Sequence, residues 1–398
     1  MLPDSQIATI FTVMKKNRFS NAYRLGVLGG GQLGRMFILE AINYNLAVHI
    51  MDADPGAPSA EICSTFTIGD LRDYDQVVAF GKDKDTVTVE LENVNVQALY
   101  TLEEKGVLVF PQPRVLEIIQ DKGLQKQFYI DRGIPTSPFE LLTESPNLEE
   151  LKHKIPFVTK LRTGGYDGRG VQIIRKEEDL NTLFDAPSIL EEIVPFVKEL
   201  SVIVARNAQG QTAVFPTVEC EFNEANLVAY LFSPAEITED LKTKAQNVAI
   251  DVINALDMIG ILAVELFLTA SGEILVNEIA PRPHNSGHHT IECNVTSQFE
   301  QHLRAVLNLP LGSTEMVSAG AMLNLLGSEG HEGPAYYQGI ETAMAHPGVH
   351  VHLYGKERTK ANRKMGHITV TGRNIQEVRN TVSQIKDTVQ VISDTSDY

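Results

Sequence analysis

The chain has 398 residues and a formal net charge of −17, and this length predicts two to four domains. The acidic balance argues against nucleic acid as a partner, because binding to the phosphate backbone needs a basic surface. No apolar run approaches the about 20 residues of a membrane-spanning helix. Since the three cysteines are far apart and suit a reducing compartment, we predict a cytoplasmic protein without membrane contact.

Residues 1–23 form a segment of their own. Met1 to Met14 is mildly apolar, and a short basic run, Lys15 to Arg18, follows it. A signal peptide carries its positive charge before the apolar stretch, so this order does not indicate one. We predict a dispensable N-terminal extension, with Met14 as an alternative start.

Residues 24–113 alternate strand and helix patterns, which predicts an α/β domain with a Rossmann-like parallel sheet. The predicted elements are strand Leu25–Leu28, helix Gln32–Tyr44, and strands Leu46–Asp52, Thr86–Glu90 and Val107–Phe110.

Residues 114–313 predict an α+β body that contains a lid at about 139–196. It opens with a helical stretch, Arg114–Arg132, and has one long helix, Ile237–Leu256. Residues 314–398 predict a small β-rich C-terminal domain. Its elements are strands Ala319–Leu326, Val349–Tyr354 and His367–Gly372 and helix Asn374–Lys386.

A glycine-rich loop, Gly29–Gly34, follows the first strand and opens a helix whose N-terminal amides favour anions. With Asp52 ending the next strand, it matches the dinucleotide fingerprint, which predicts an NAD enzyme. Alternatively, the glycines serve strand–helix packing, and Gln32 and Arg35 contact a phosphorylated small molecule.

A second glycine-rich segment, Thr163–Gly170, lies between two strand patterns. Its composition is typical of a flap whose amides close over phosphates, with Lys160 on the preceding strand as a point charge. An ordinary mobile hairpin is the alternative. The extended run Ser188–Val194 could present backbone groups to an adenine edge, with Glu199 accepting ribose hydroxyls, although a solvated edge strand explains it equally well.

Two glutamates lie on predicted neighbouring strands. If Ser271-Gly272 forms a two-residue hairpin loop, Glu265 pairs with Glu278, and such a carboxylate pair needs neutralisation. Mg²⁺ is typically held by one or two carboxylates plus substrate phosphates. A pair that splays into water, or that is neutralised by an arginine, is the alternative.

The loop Asn277–His289 continues from the second of these strands. We interpret Arg282 as a clamp for charge that develops during phosphoryl transfer. Its histidines His284, His288 and His289 allow a zinc alternative, although no cysteine has suitable spacing. The basic segment Lys356–His367 suits a phosphomonoester site, although such charge runs are usually only solvated.

Four segments together resemble the N5-carboxyaminoimidazole ribonucleotide synthetase family of ATP-grasp enzymes: Gly29–Met36, Arg162–Gly170, Asn277–His288 and Arg363–His367. The resemblance covers nearly everything from Leu25 to the last helix. It implies a homodimer with an ATP-grasp fold between a Rossmann-like domain and a small C-terminal domain. The implied reaction is the carboxylation of 5-aminoimidazole ribonucleotide with bicarbonate and ATP, through carboxyphosphate, in purine biosynthesis.

The resemblance also implies residue roles. Its catalytic residues are Tyr166, Asp167, Arg169 and Arg282, and its Mg²⁺ ligands are Glu265 and Glu278. Its ATP contacts are Lys122, Lys160, Gly165, Tyr166, Asp167, Gly168, Arg169, Gly170, Val171, Glu191, Glu192, Ile193, Val194, Glu199, Phe222, Asn277 and Glu278. Its ribonucleotide contacts are Gln32, Glu90, His284, Asn285, Lys356, Arg363 and Lys364.

Two residues depart from the family pattern: Lys122 stands where relatives often have arginine, and Phe222 where many have histidine. Other functions compete with this prediction. Another ATP-grasp ligase, such as a formate-dependent glycinamide ribonucleotide transformylase or a biotin carboxylase, differs in its acceptor. An NAD-dependent oxidoreductase and a non-catalytic nucleotide-binding regulator are alternatives from other classes.

Overall fold

The computed structural model describes residues 17–142, 147–165, 170–222 and 228–394. The first domain is a parallel five-stranded sheet in the order β3-β2-β1-β4-β5, flanked by helices. This arrangement confirms the predicted Rossmann-like domain. Its elements are β1 (Arg24–Leu28), α1 (Gln32–Asn43), β2 (Ala47–Asp52), β3 (Thr65–Ile68), α2 (Tyr74–Gly81), β4 (Thr86–Val89), α3 (Val96–Glu104) and β5 (Leu108–Phe110).

The last residues of the predicted extension pack onto the fold. Tyr23 is 2% exposed, and its hydroxyl lies 2.6 Å from Thr86 Oγ1. Arg18 Nη1 donates to the carbonyl of Asn308, at 3.1 Å. Residues Arg18 and Tyr23 of the predicted extension therefore belong to the packed fold.

The helical stretch predicted at Arg114–Arg132 is two helices, α4 (Pro113–Gln120) and α5 (Lys122–Asp131), so the single helix is wrong. Asp121 between them has an extended backbone with φ −116° and ψ 110°, and its carboxylate accepts from the Gly123 amide at 2.7 Å. An aspartate in this position caps a new helix rather than continuing the old one.

A small antiparallel sheet in the order β6-β9-β7-β8 forms the lid. Lys160 pairs with Val171 in the hairpin of β7 and the edge strand β8, so the predicted flap joins two paired strands. Residues 166–169 at the centre of the flap lie outside the described residues. The lid elements are β6 (Phe139–Leu142), α6 (Leu148–Lys152), β7 (Phe157–Leu161), β8 (Val171–Ile174), a 3₁₀ helix (Glu177–Thr182) and β9 (Ser188–Glu192).

A second, larger sheet carries Glu265 and Glu278 and continues into the C-terminal region. It runs in the order β15-β14-β10-β12-β13-β16-β20-β18, with β11 paired to β10. Its first elements are β10 (Phe196–Arg206), β11 (Thr212–Val214), β12 (Val218–Phe222), β13 (Val228–Ser233), α7 (Glu239–Ala255), β14 (Gly260–Thr269), β15 (Ile274–Ala280), a 3₁₀ helix (Asn285–Gly287), α8 (Thr290–Cys293) and α9 (Gln298–Val306).

The C-terminal elements are β16 (Ala319–Leu326), β17 (Gly333–Gln338), α10 (Ile340–Met344), β18 (Val349–Leu353), β19 (Arg358–Thr359), β20 (Lys364–Gly372), α11 (Ile375–Ile385) and β21 (Gln390–Ser393). Because β13 pairs with β16, one sheet connects the central and C-terminal regions. The apolar face of α7 packs against this sheet, with Val252, Leu262 and Val276 fully buried. None of the described helices is long and apolar enough to cross a membrane.

Candidate active site

Glu265 and Glu278 face each other across β14 and β15, as predicted. The predicted two-residue turn is wrong, because Thr269 and Glu273 close a three-residue loop through a 3.0 Å backbone hydrogen bond. Gly272 supplies the left-handed residue of that loop, with φ 80°. A β-bulge after Glu265 inserts one extra residue, Asn277, into β15 and thereby restores the pairing of the two glutamates.

The two facing carboxylates are in different electrostatic states. Glu278 forms an ion pair with Lys122, and Lys122 is the main cause that lowers the pKa of Glu278. Burial, followed by repulsion from Glu278, raises the pKa of Glu265. The side chains of Glu265 and Glu278 are 26% and 41% exposed, so both can be reached from the cleft. The charged form of Glu265 therefore lacks full compensation in the ligand-free protein.

A cation in this position suits the oxygen donors. Among the described residues, no group of three or more His, Cys, Asp or Glu side chains is arranged to hold a metal ion. Two facing carboxylates, of which one is not fully compensated when charged, instead match an ion that takes its remaining ligands from phosphates and water. His288 and His289 are both buried, and Gln298 Nε2 lies 3.1 Å from His288 Nδ1, so the zinc interpretation gains no support.

Lys160 reaches from the lid to the large sheet. Its Nζ lies 2.7 Å from Glu191 Oε2 and donates to Asn277 Oδ1 at 2.8 Å. Lys126 pairs with the other oxygen of Glu191. Although burial acts to raise it, these two lysines lower the pKa of Glu191 to about 2. Both oxygens of the Glu191 side chain therefore pair with lysines, so Glu191 can contact an adenine edge only through its backbone.

Glu199 projects from the sheet face that also carries Glu265. It pairs in register with Cys220 on one side and with Phe267 on the other. Burial raises the pKa of Glu199 to about 7. Phe196 stacks on Phe267 with ring centroids 4.7 Å apart, so two stacked aromatic rings lie beside Glu199 on this face of the sheet. The side chain of Phe222 lies outside the described residues.

Arg282 lies in the loop after β15 and forms an ion pair with Glu92 of the first domain. Its Nε donates to one carboxylate oxygen and its Nη2 to the other, the latter at 3.2 Å. The sequence analysis did not include Glu92 in the site. Its position just after the carboxyl end of β4 could have identified it, because ligand sites of parallel sheets lie at such ends.

His284 connects the Arg282 loop to the carboxylates. Its Nε2 lies 3.5 Å from Glu265 Oε1, and its Nδ1 lies 2.9 Å from Ser286 Oγ. Burial, assisted by the charges of Arg282 and Lys364, lowers the pKa of His284 to about 3. The imidazole is therefore neutral at pH 7 and acts as a hydrogen-bonding group.

The glycine-rich loop binds carboxylates of the chain itself. Asp52 Oδ2 accepts from the Gly30 amide at 2.6 Å, and Glu90 Oε1 accepts from the Leu33 amide at 3.1 Å. A Cβ at Gly31 would lie 2.6 Å from Glu90 Oε1, so a side chain there would displace this buried carboxylate. Since these carboxylates take the amides that a dinucleotide pyrophosphate would need, the structure does not support the NAD interpretation. Gln32 is partly exposed beside them.

The basic C-terminal segment approaches the site from the third region. Lys356 Nζ donates to the Lys364 carbonyl at 2.7 Å, and Lys364 lies close enough to His284 to lower its pKa. Arg363 Nη1 instead donates to the Arg358 carbonyl, at 2.6 Å. Among the other predicted ribonucleotide contacts, Asn285 exchanges side-chain hydrogen bonds of 2.8 and 2.9 Å with Asn324.

Several predicted residues belong to the flap or to the end of β9. Tyr166, Asp167, Gly168 and Arg169 lie outside the described residues, while Gly165 and Gly170 flank them. Val171 begins β8 and is 38% exposed. Glu192 ends β9, and Ile193 and Val194 lie in the short connection to β10.

Models of three protein families match this chain. A ribonucleotide synthetase preATP-grasp domain matches residues 22–120, an ATP-grasp domain 127–299, and a phosphoribosylaminoimidazole carboxylase C-terminal domain 320–381. The N5-carboxyaminoimidazole ribonucleotide synthase of Bacillus subtilis is 36% identical, over 87% of this chain and 90% of that protein. The chain belongs to the N5-carboxyaminoimidazole ribonucleotide synthase family.

Solved structures of the N5-carboxyaminoimidazole ribonucleotide synthase family agree with this assignment. The Thermotoga maritima synthetase has a TM-score of 0.86 and 41% identity, with 94% of this chain and 100% of that chain covered. The Aspergillus clavatus synthase, solved with ADP and 5-aminoimidazole ribonucleotide, has a TM-score of 0.85 and 33% identity, with 92% and 98% covered. The predictions of the fold class and of an ATP-dependent ligase are confirmed.

Longer relatives of the same family also match. The chloroplastic phosphoribosylaminoimidazole carboxylase of Vigna aconitifolia is 39% identical over 90% of this chain, but only 66% of that protein is covered. The chain thus spans about two thirds of the length of such relatives.

Proposed function

We propose that the chain catalyses the ATP-dependent carboxylation of 5-aminoimidazole ribonucleotide with bicarbonate, giving the N5-carboxylated ribonucleotide, ADP and phosphate. The observation that carries this proposal is the pair Glu265 and Glu278, with Lys122 on one carboxylate and Lys160 on the neighbouring Asn277. Two cations and two carboxylates at the junction of two antiparallel sheets form a triphosphate site of alternating charge.

Mg²⁺ is the cofactor that fits Glu265 and Glu278, because the charged form of Glu265 is disfavoured by burial and by Glu278 until a hard cation binds between the two carboxylates. When bound, the ion neutralises phosphate charge during phosphoryl transfer. Lys122 and Lys160 would hold the phosphates, Glu199 the ribose hydroxyls, and the backbone of Glu191–Val194 the adenine edge. The amides of Gly165, Gly170 and Val171 and the flap residues 166–169 would cover the phosphates.

Bicarbonate is a poor electrophile, so its phosphorylation to carboxyphosphate comes first. The γ-phosphoryl group moves to a bicarbonate oxygen, and carboxyphosphate then releases phosphate and CO₂ beside the acceptor amine. In our proposal Arg282 orients bicarbonate, because its planar guanidinium matches a planar oxyanion. Neutral His284 donates or accepts a hydrogen bond there, and Asp167, Tyr166 and Arg169 assist from the flap while water is excluded.

The ribonucleotide would lie between the first and third regions. Lys356, Arg363 and Lys364 are proposed to grip its 5′-phosphate, and Gln32, Glu90 and Asn285 its remaining polar groups. Glu90 is only 4% exposed, so its contact would be made through the glycine-rich loop that it supports. The homodimer and the cytoplasmic location rest on the family resemblance and on composition, and they remain proposals.

The decisive experiment measures ADP release with bicarbonate and Mg²⁺ present. We expect strong stimulation by 5-aminoimidazole ribonucleotide and none by glycinamide ribonucleotide. Stimulation by the second compound alone would contradict the proposal and would favour another ATP-grasp ligase.

A further inference from the structure

We propose that Asp121 and Arg162 form a clamp that positions Lys122 and Lys160 for the nucleotide phosphates. The clamp joins the start of α5 to the end of β7, two elements that belong to different parts of the ATP-grasp body. This inference rests on the proposed function, because it assigns the two lysines to ATP.

The Asp121–Arg162 clamp is a two-pronged ion pair. Arg162 Nε donates to Asp121 Oδ1 at 2.9 Å, and Arg162 Nη2 donates to Asp121 Oδ2 at 2.6 Å. Hydrogen bonds from the guanidinium lower the pKa of Asp121 against the effect of burial, and those to Asp121 raise the pKa of Arg162. Such parallel bonds fix orientation as well as distance.

Backbone hydrogen bonds also join the start of α5 to the end of β7 at the clamp. The Lys122 amide donates to the Arg162 carbonyl at 2.8 Å, and the Leu161 amide donates to Gly170 across the base of the flap, also at 2.8 Å. The Asp121 carboxylate accepts at the same time from the Gly123 amide at 2.7 Å. One carboxylate therefore fixes the first turn of α5 and the end of β7 together.

Gly123 shows how closely the two elements approach. A Cβ at this position would lie 2.7 Å from Arg162 Nε and 3.0 Å from Asp121 Oδ1. The first contact is shorter than real Cβ contacts, so a side chain at the start of α5 would push the Arg162 guanidinium out of its present position.

The clamp fixes the backbone positions of Lys122 and Lys160. Lys122 is the next residue after Asp121, and Lys160 lies two residues before Arg162 on the same face of its strand. Lys122 reaches Glu278, and Lys160 reaches Asn277 beside it. The clamp thus sets the spacing of two cations that converge on adjacent residues of β15. Asp121 and Arg162 are positioning residues, because they act through these lysines.

Two single substitutions test the clamp from opposite sides. Asp121→Asn keeps a good helix cap but replaces one acceptor oxygen with a donor facing Arg162. Arg162→Lys keeps the charge but loses the fork. Glu140→Gln is the control, because it removes an exposed ion pair with Lys154 in the same lid sheet. For each variant we would measure the Kd of Mg·ATP by calorimetry, the KM values of both substrates, and the melting temperature without ligand.

We expect Asp121→Asn and Arg162→Lys each to weaken Mg·ATP binding about tenfold, the size of effect that one charge-assisted hydrogen bond produces. The KM for the ribonucleotide should change less than about twofold, and the double variant should lose little more than either single variant. Glu140→Gln should bind Mg·ATP normally.

Normal Mg·ATP binding by the wild type together with unchanged binding by both single variants would overturn the clamp alone. Equal increases in the KM values of ATP and the ribonucleotide would also overturn it, since they indicate general loosening. A wild type that binds no Mg·ATP would overturn the proposed function, and the clamp with it.

Discussion

Arg282 holds Glu92 in a two-pronged ion pair that crosses from the ATP-grasp body to the first domain. Arg282 lowers the pKa of Glu92 against the effect of burial, so this carboxylate stays charged at neutral pH. The pair therefore fixes the orientation of the Arg282 guanidinium, which keeps its full positive charge near the carboxylates of the site.

Glu92→Gln should lower kcat by about 10- to 100-fold, because Arg282 loses the partner that orients it. The KM for ATP should change little, since the nucleotide contacts lie elsewhere. Steady-state kinetics with bicarbonate as the varied substrate would measure the effect. Glu117→Gln, which removes an exposed partner of Tyr100, is the control, and a kcat equal to that of the control would contradict the role of Glu92.

Glu265→Gln and Glu278→Gln should affect the stability of the ligand-free protein in opposite directions. Burial and repulsion from Glu278 disfavour the charged form of Glu265, and Glu265→Gln removes this ionisable group, so the free energy of unfolding should stay equal or rise by up to about 1 kcal/mol. Glu278→Gln leaves Lys122 without its carboxylate and should cost about 1–3 kcal/mol. Urea denaturation without ligand would measure both values.

Added Mg·ATP completes this test. The wild type should gain stability by mass action, and both variants should gain much less because each lacks one ligand of the ion. If Mg·ATP stabilised either variant as much as it stabilises the wild type, the assignment of that glutamate to Mg²⁺ would be contradicted.

The pairing of Glu265 with Glu278 was predictable, whereas the way it arises was not. Apolar alternation and a glycine turn identify both strands, but the loop has one residue more than predicted and the bulge at Asn277 compensates for it. Pattern reasoning fixes the faces of strands better than their exact register. The break at Asp121 was readable in principle, because aspartate before a helical run is a start signal.

Glu92 illustrates what sequence patterns omit. It lies 190 positions from Arg282 in the chain, and only the packing of the first domain onto the ATP-grasp body brings the two together. Likewise, the glycine-rich loop matches a dinucleotide fingerprint, yet the chain's own Glu90 and Asp52 fill its anion sites. A motif specifies local geometry, and tertiary contacts decide which anion occupies it.

Glu199→Gln should change the pH dependence of stability. Burial raises the pKa of Glu199 from 4.5 to about 7, so the folded state holds a proton that the unfolded state releases between these values. This group therefore reduces the free energy of unfolding as the pH rises from about 4.5 to about 7. The side chain is only partly buried, which limits the effect to about 1 kcal/mol.

Urea denaturation of the wild type and Glu199→Gln at pH 5 and pH 7.5 would test this linkage. The variant should gain about 1 kcal/mol relative to the wild type between the two pH values. A stability difference that is independent of pH would contradict the raised pKa.

Arg379→Ala should destabilise the junction between α11 and the large sheet. Arg379 pairs with Glu219, whose side chain is 4% exposed, and also with Glu236 at 2.7 Å, and it stacks over Phe232. Its loss should cost about 2–3 kcal/mol, because Glu219 keeps only part of its compensation. Thermal and urea denaturation would measure this cost.

Arg373→Ala is a matched control for Arg379→Ala, because Arg373 lies just before the same helix and its side chain is 89% exposed. Its ion pair with Glu377 should be worth no more than about 0.5 kcal/mol. Equal losses in the free energy of unfolding for the two variants would show that the contact with buried Glu219 stabilises the protein no more than an exposed ion pair does.

Arg363→Ala should raise the KM for 5-aminoimidazole ribonucleotide far more than the KM for ATP. Arg363 now contacts the Arg358 carbonyl, a weak neutral acceptor that a 5′-phosphate could displace. Lys360→Ala removes an equal charge from an exposed position of the same segment and should change either KM by less than about twofold. Equal increases in the ribonucleotide KM for Arg363→Ala and Lys360→Ala would indicate general electrostatic attraction rather than a specific contact. Equal increases in the KM values of ATP and the ribonucleotide for Arg363→Ala would refute its role in binding the 5′-phosphate.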